Sequence, residues 1–370
     1  MTRESRSLEF PRVNRTARAG RCRRACMNAV SPYPTAGRRR PDRGLSGVSM
    51  KRILVTGAGG QVGTELVPAL RAVYGSDAVL ATDVREPSAD LRQAGPWSRL
   101  DCADVHAVAR AVREHRADSV YHLAALLSAR GEEDPQRAYT LNMGTLYNVL
   151  EVAREAKCAL FAPSSIAAFG PGTPRDPAPQ DTVQRPRTMY GVTKVAGELL
   201  CDYYWVRFGV EARGLRFPGL ISHVAAPGGG TTDWAVEIFY QAIESGSYTC
   251  FLSEDTQNDM MYMPDAIRAT MELMEADGAR LQHRNAFNVT AMQLTPAVLT
   301  DALRVHIPEF RISYRIDPVR QAIADSWPRR IDDTAARQEW GWRPEYGLER
   351  MTSDMLEHLG VKLGRVVGRG

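Results

Sequence analysis

Seven residues constrain this chain more than any others: Gly57-Ala58-Gly59-Gly60-Gln61-Val62-Gly63. They follow a short apolar run, Ile53-Leu54-Val55-Thr56, and precede a helical pattern through Leu66, Val67, Leu70 and Val73. Strand, glycine turn and helix in that order is the context in which a glycine motif carries meaning. Gly57 permits the tight turn and Gly60 lets backbone approach a pyrophosphate. Gly63 lets the helix sit close to the strand, and the helix start offers free N–H groups and the positive end of its dipole. A second apolar run, Ala78-Val79-Leu80-Ala81-Thr82, ends in Asp83, 20 residues after Gly63. A carboxylate there accepts from both ribose hydroxyls and repels a 2′-phosphate, so the pattern selects NAD over NADP.

The units that follow fit the same scheme. Leu100-Asp101 closes a short segment, and the acid is placed to accept from an adenine amino group. The pattern then predicts a helix over 104–114 and a fourth strand over Ser119–Ala125, whose small terminal residues leave room for a nicotinamide ribose. His122 reads as a packed strand residue. A helix over 135–156 carries Asn142, either positioning a water for Lys194 or marking a kink, and leads to a strand from Leu160 to Pro163 and then Ser164-Ser165. Doubly wound sheets gather their ligands at the C-terminal ends of such strands. Met189-Tyr190-Gly191-Val192-Thr193-Lys194 opens the next helix, with Tyr190 and Lys194 at i and i+4 on one face. A phenol that ionises near ~10 is a poor base at neutral pH, and an adjacent ammonium with a positive nicotinamide favours its ionised form. Tyr190 can then take an alcohol proton while hydride leaves the same carbon, with Ser165 holding the oxygen and Lys194 the nicotinamide ribose. The expected fold is α/β, a doubly wound parallel (Rossmann) sheet over 50–220 with a later strand returning near 286–290, and a smaller C-terminal substrate lobe over 221–365.

Composition excludes several classes. No apolar run approaches the ~18 residues of a membrane span, and the six cysteines are too sparse for a disulfide scaffold. No cysteine–histidine pattern has metal-ligand spacing, so no metal is expected. The net charge of +4 misleads: residues 1–49 hold twelve arginines against Glu4, Glu9 and Asp42, a charge of +9 that leaves −5 for the rest. The body has no basic patch interleaved with aromatics, so nucleic acid is set aside. The first 49 residues lack periodicity and are expected to be a disordered Arg-rich extension without function of its own, an organellar presequence or an interaction tail being the other readings. The sparse cysteines fit a reducing compartment, and the expected location is the cytoplasm.

Together these residues resemble the extended short-chain dehydrogenase/reductase superfamily over about 51–365. Several stretches resemble one branch, the short-chain type L-threonine 3-dehydrogenases: Leu126–Ala129, Arg185–Gly191, Leu215–Gly219, Pro227–Asp233, Met260–Tyr262 and Ala324–Pro328. That resemblance implies oxidation of L-threonine to 2-amino-3-oxobutanoate. It carries the cofactor contacts onto Gln61, Val62, Val84, Arg85, Cys102 and Leu220 as well as the residues already named. Ser128, Thr231, Thr232 and Trp327 join Ser165 and Tyr190 toward the substrate, with Trp327 either capping the threonine methyl or filling a C-terminal core. The wide apolar stripe of helix 190–208 implies a homodimer, since relatives pair such helices. A nucleotide-sugar epimerase or dehydratase shares every cofactor and catalytic motif, but Ser253–Pro264 offers no Arg or Lys for a diphosphate. A non-catalytic NAD-sensing regulator would have no need of Tyr190 and Lys194.

Overall fold

The computed structural model describes residues 50–227 and 230–365. The N-terminal extension with Cys22 and Cys26, and Gly228-Gly229 of the glycine run, lie outside the described residues.

The first half alternates strand and helix. In chain order come β1 (Ile53–Thr56), α1 (Gly63–Tyr74), β2 (Val79–Asp83), α2 (Ala89–Gln93), β3 (Trp97–Arg99), α3 (Val105–His115), β4 (Ser119–His122), α4 (Ser128–Glu133), α5 (Pro135–Ala156), β5 (Ala159–Phe161), β6 (Ser164–Ser165), α6 (Met189–Phe208), β7 (Ala212–Arg213), β8 (Leu215–Phe217) and β9 (Gly219–Ile221). The second half adds α7 (Trp234–Ser245), β10 (Ser247–Cys250), β11 (Asn258–Tyr262), α8 (Met263–Glu275), β12 (Phe287–Asn288), β13 (Met292–Leu294), α9 (Pro296–His306), β14 (Arg311–Tyr314), α10 (Pro318–Ser326), α11 (Thr334–Glu339) and α12 (Leu348–Leu363).

Six parallel strands form the main sheet in the order β3-β2-β1-β4-β5-β7. The Ala162 N–H donates to the Arg213 carbonyl at 2.9 Å. That bond carries the β5–β7 pairing on into β6 beside β8, and β12 runs parallel to β8 on the far side. The returning strand expected near 286–290 is therefore present. Every side chain of β1 is buried, as in a strand covered on both faces. Ile53 and Val55 pack with Leu66, Val67 and Leu70 of α1 and with α8. Leu54 points the other way, toward Val108 and Val112 of α3, Leu150 of α5 and Tyr204 of α6. This period-two split is the doubly wound arrangement.

Helix ends follow local chemistry. Asp104 caps α3 by accepting from the His106 and Ala107 N–H groups. Asp134 and Pro135 start α5, and Lys157 in the left-handed region ends it. Thr188 caps α6, and Gly209 closes it. A separate apolar core joins α7, α9 and α12 to β11 and β13. No helix among the described residues is long and apolar enough to cross a membrane.

Candidate active site

β1 lies between β2 and β4, so the crevice at their C-terminal ends is the switch point where doubly wound sheets take ligands. Gly57 follows β1 with φ +69°, and a Cβ there would lie 2.7 Å from the Ala124 nitrogen. The glycine turn thus crosses the chain leaving β4 at backbone contact. A Cβ on Gly63 would lie 2.6 Å from the carbonyl oxygens of Gly57 and Ala58, so α1 starts directly on the turn. No side chain caps its first turn.

Asp83 is buried at the end of β2. One carboxylate oxygen accepts from the Gly59 N–H at 3.0 Å and the other from the Arg85 N–H at 2.9 Å. Arg85 reaches back to the Gly59 carbonyl at 3.0 Å. Val84 is half exposed, and Asp101 is exposed with one oxygen accepting from Ala103. Cys102 turns its thiol into the core, where burial pushes it up to about 11. An uncapped helix start that donates N–H groups, a glycine that leaves no room for a Cβ and a carboxylate that accepts beside the turn are the features a dinucleotide requires, and these residues fit NAD.

The chemical half stands opposite. Ser165, half-buried on β6, accepts at Oγ from the Ala167 N–H at 3.2 Å. α6 is pressed against this corner: a Cβ on Gly191 would lie 2.3 Å from the Ala167 carbonyl oxygen. That close approach brings Tyr190 beside the serine strand. Lys194 donates to the Pro163 carbonyl at 2.7 Å, with its ammonium 5.3 Å from the Tyr190 ring centre. His122 is buried between the Thr56 and Thr145 hydroxyls, and burial, then the Lys194 charge, push it down to about 3. It is a neutral packed residue, as its strand position implied. Asn142 accepts from the Leu126 N–H at 2.8 Å and donates to the Leu126 carbonyl at 3.1 Å. It ties down the chain beyond β4, a role neither sequence reading anticipated, and that tie accompanies the strand's early end at His122 rather than Ala125.

The proposed substrate residues are placed unequally. Ser128 opens α4, a six-residue helix the pattern did not predict. Within it, a Cβ on Gly131 would lie 4.0 Å from the Tyr190 Cβ. Glu132 accepts from the Met189 N–H at 2.7 Å and pins α4 to the start of α6. Trp327 is 6% exposed and packs with Ile166, Ala167, Phe169, Ala178 and Ile331, with Tyr190 at the edge. Thr232 packs over Gly219, whose Cβ would lie 2.8 Å from the Thr232 Cγ2. Gly219 is two residues beyond Phe217, the partner of Ser165 between β6 and β8. Thr231 is turned inward and buried. Leu220 lies half-buried on β9 against the main core.

The family model for the NAD-dependent epimerase/dehydratase family matches residues 53–290. The chain belongs to that family. An uncharacterised epimerase/dehydratase of Staphylococcus saprophyticus is 53% identical over 309 residues, 83% of this chain and 97% of that one. Among solved structures, an L-threonine dehydrogenase from Clostridium difficile is 50% identical with TM-score 0.84, covering 86% of this chain and 99% of its own. A monomeric L-threonine 3-dehydrogenase from a metagenome is 45% identical with TM-score 0.79, covering 83% and 98%. The chain is an NAD-dependent oxidoreductase of this family.

Away from this crevice, one donor atom each of His223, Asp354 and His358 lies within 4.8 Å of the others. The two imidazoles stack with centres 4.2 Å apart and planes 11° from parallel, so their in-plane lone pairs do not converge. Tyr262 donates to Asp354 at 2.6 Å and meets the His223 Nδ1 at 2.7 Å. The cluster clasps α12 to the chain after β9.

Proposed function

We propose that this enzyme oxidises the 3-hydroxyl of L-threonine to 2-amino-3-oxobutanoate. The observation that carries this reading is the buried apolar cluster of Trp327 with Ile166 and Ala167, which directly follow Ser165 in the chain, packed against Tyr190. An apolar neighbour beside the reacting centre favours a methyl group over a sugar diphosphate, whose charges would lose their water there without compensation. The two solved relatives described above are named as threonine dehydrogenases, which supports the same reading. Residues 50–220 with β12 form the dinucleotide domain in this proposal, and the remainder to 365 forms the substrate lobe.

Bound NAD supplies the acceptor for the hydrogen and electron pair leaving the alcohol carbon. Ser165 already accepts from Ala167, so its own O–H is left to donate to the substrate oxygen. Tyr190 takes the hydroxyl proton at its phenolic oxygen. Lys194, anchored on the Pro163 carbonyl, keeps a positive charge on the tyrosine's own face of α6 and stabilises the phenolate that does this work. Asp83 and the glycine turn hold the adenosine end, with Arg85 closing over Gly59.

The test is NAD reduction by L-threonine, L-serine, L-allo-threonine and UDP-glucose side by side. Loss of one methyl contact is worth roughly 1–3 kcal/mol, so serine is expected to react about 10–200-fold less efficiently. Tyr190→Phe is expected to lose about 10²–10⁴-fold in turnover while still binding NAD. Faster turnover of UDP-glucose than of threonine would overturn the substrate assignment.

A further inference from the structure

The helix that carries Tyr190 and Lys194 holds a third polar residue on the same face. Glu198 follows Lys194 by four residues and is 5% exposed. Arg216 of β8 grips it with both prongs, Nε donating to Oε1 at 3.0 Å and Nη2 to Oε2 at 2.8 Å. Gln184 donates to Oε2 at 2.8 Å, and the Ser164 hydroxyl donates to Oε1. The remaining Arg216 nitrogen donates to the Gln180 carbonyl at 2.8 Å and to Asn288 of β12 at 3.2 Å, and its guanidinium sits 5.2 Å over the Phe169 ring.

Two properties follow from this arrangement. Ser164 pairs with Arg216 across β6 and β8, one residue before Ser165 pairs with Phe217. Glu198 therefore fastens the strand holding Ser165 to the helix holding Tyr190. Lys194 and Glu198 also line one small cavity of about 40 Å³, together with His122, Asn142 and Cys201. That volume admits little more than a water, so a bare carboxylate would face the ammonium almost unscreened.

We propose that the buried Glu198–Arg216 pair is a positioning element for the reacting centre: it sets Ser165 against Tyr190 and cancels the charge that Glu198 would otherwise present to Lys194. The inference rests on Tyr190 acting as the base. The other ionisable groups facing this helix include Cys201 and Asp202 on α6 itself, His122 on β4, Glu132 on α4 and Glu151 of α5, which meets α6 at Tyr204, while Arg284 and Arg154 lie over the Trp205 and Phe208 rings toward its far end. His122 and Cys201 are uncharged, the first held near 3 and the second pushed up to about 12, burial being the main cause in both. Burial also raises Asp202, which lies a further turn along the helix. Glu132 and Glu151 are bonded at the two ends of α6, to the Met189 N–H and the Tyr204 hydroxyl.

The experiment compares Arg216→Gln, Glu198→Gln, the double variant and Arg216→Lys with the parent. Arg216→Gln strands a negative charge and is expected to move the rise of kcat/KM with pH upward by about one unit; Glu198→Gln strands a positive charge and moves it downward by a similar amount. The double variant returns it to the parent's value. Arg216→Lys keeps the charge but loses the fork, so it keeps the midpoint and lowers kcat. NAD affinity stays within about twofold throughout, since neither side chain contacts the glycine turn, Asp83 or Arg85. Midpoints that stay put in both single variants, or that move in the same direction, overturn the proposal. Should Arg216→Gln and Glu198→Gln not fold, a double variant with parental kcat or a displaced midpoint in Arg216→Lys overturns it instead. Ultraviolet difference titration against Tyr190→Phe reads the same ionisation without turnover. If threonine is not a substrate, that reading fails on its own and the titration still decides the pair.

Discussion

Gly57 and Gly209 adopt nearly the same backbone, φ +69° and +70°, and differ in what surrounds them. A Cβ on Gly57 would sit 2.7 Å from the Ala124 nitrogen and 2.9 Å from both the Ala124 Cα and the Leu123 carbonyl carbon. At Gly209 nothing lies within 4 Å. Alanine in the left-handed region costs about 1–2 kcal/mol at either position. At Gly57 the turn after β1 must also part from the chain leaving β4, and overpacking of that kind costs about 1–3 kcal/mol more. Gly209→Ala is therefore expected to lose about 1–2 kcal/mol and Gly57→Ala about 2–5. At about 2–4 °C per kcal/mol, that is about 2–8 °C against about 4–20 °C. The same displacement moves the N–H groups meant for the pyrophosphate, so NAD binding should weaken at least about tenfold in Gly57→Ala and remain unchanged in Gly209→Ala. Melting with and without NAD, together with a binding titration, measures both. If the two variants melt alike and bind NAD alike, the close crossing is not what the glycine at 57 secures.

Replacing Asp83 with Asn should lower NAD affinity and relax discrimination against NADP, read as the ratio of the two dissociation constants; an unchanged ratio would show that the carboxylate does not face the ribose. Burial holds Glu65, in the first turn of α1, up to about 7, against a hydrogen bond from Ser222 that pulls it down. Between pH 4.5 and 7 the folded chain keeps a proton that the unfolded chain has released, so stability falls as pH rises across that window, by about 3 kcal/mol in all. Glu65→Gln should melt higher than the parent at pH 8 and level with it at pH 4.5, and equal differences at both would refute the assignment. Val192, Leu199, Tyr203 and Val206 expose an apolar stripe along α6; we expect it to join a second copy, and Leu199→Arg to give monomers in light scattering. A parent that runs as a monomer, as one relative does by name, would remove that expectation. Trp327→Ala should narrow the threonine-to-serine ratio of kcat/KM, because the methyl loses its apolar neighbour.

The dinucleotide half was legible because each of its signals is local. A glycine turn between a buried strand and an amphipathic helix, and an acid at the next strand's end, can be read within a few dozen residues. Helix α5 was equally plain, bounded by Asp134-Pro135 at one end and the left-handed Lys157 at the other. What escaped notice depends on distance in the chain or on shortness. Glu198 and Arg216 are 18 residues apart on different elements, and nothing in either neighbourhood announces that they are fully buried together. α4 has only six residues and no side-chain cap, so neither periodicity nor capping chemistry marks it. Thr231 read as part of a loop that could close over a substrate, yet the turn before α7 buries it, and no pattern in the glycine run distinguishes it from Thr232.

Trp327 reaches the neighbourhood of Tyr190 from far along the chain, held there because Ile331 pairs with Ala178 and donates its N–H to the buried Asp259 at 2.7 Å. That arrangement imposes an order on synthesis. The glycine turn, Asp83, Ser165, Tyr190 and Lys194 have all left the ribosome well over a hundred residues before Trp327. At about 5–20 residues per second, the interval is on the order of ten seconds. During it the nascent chain holds the residues proposed for the dinucleotide and for proton transfer without the Trp327–Ile331 segment that packs beside Tyr190. Ribosome stalling or truncation between residues 195 and 326 would leave a fragment in which the apolar cluster beside Tyr190 lacks both Trp327 and Ile331.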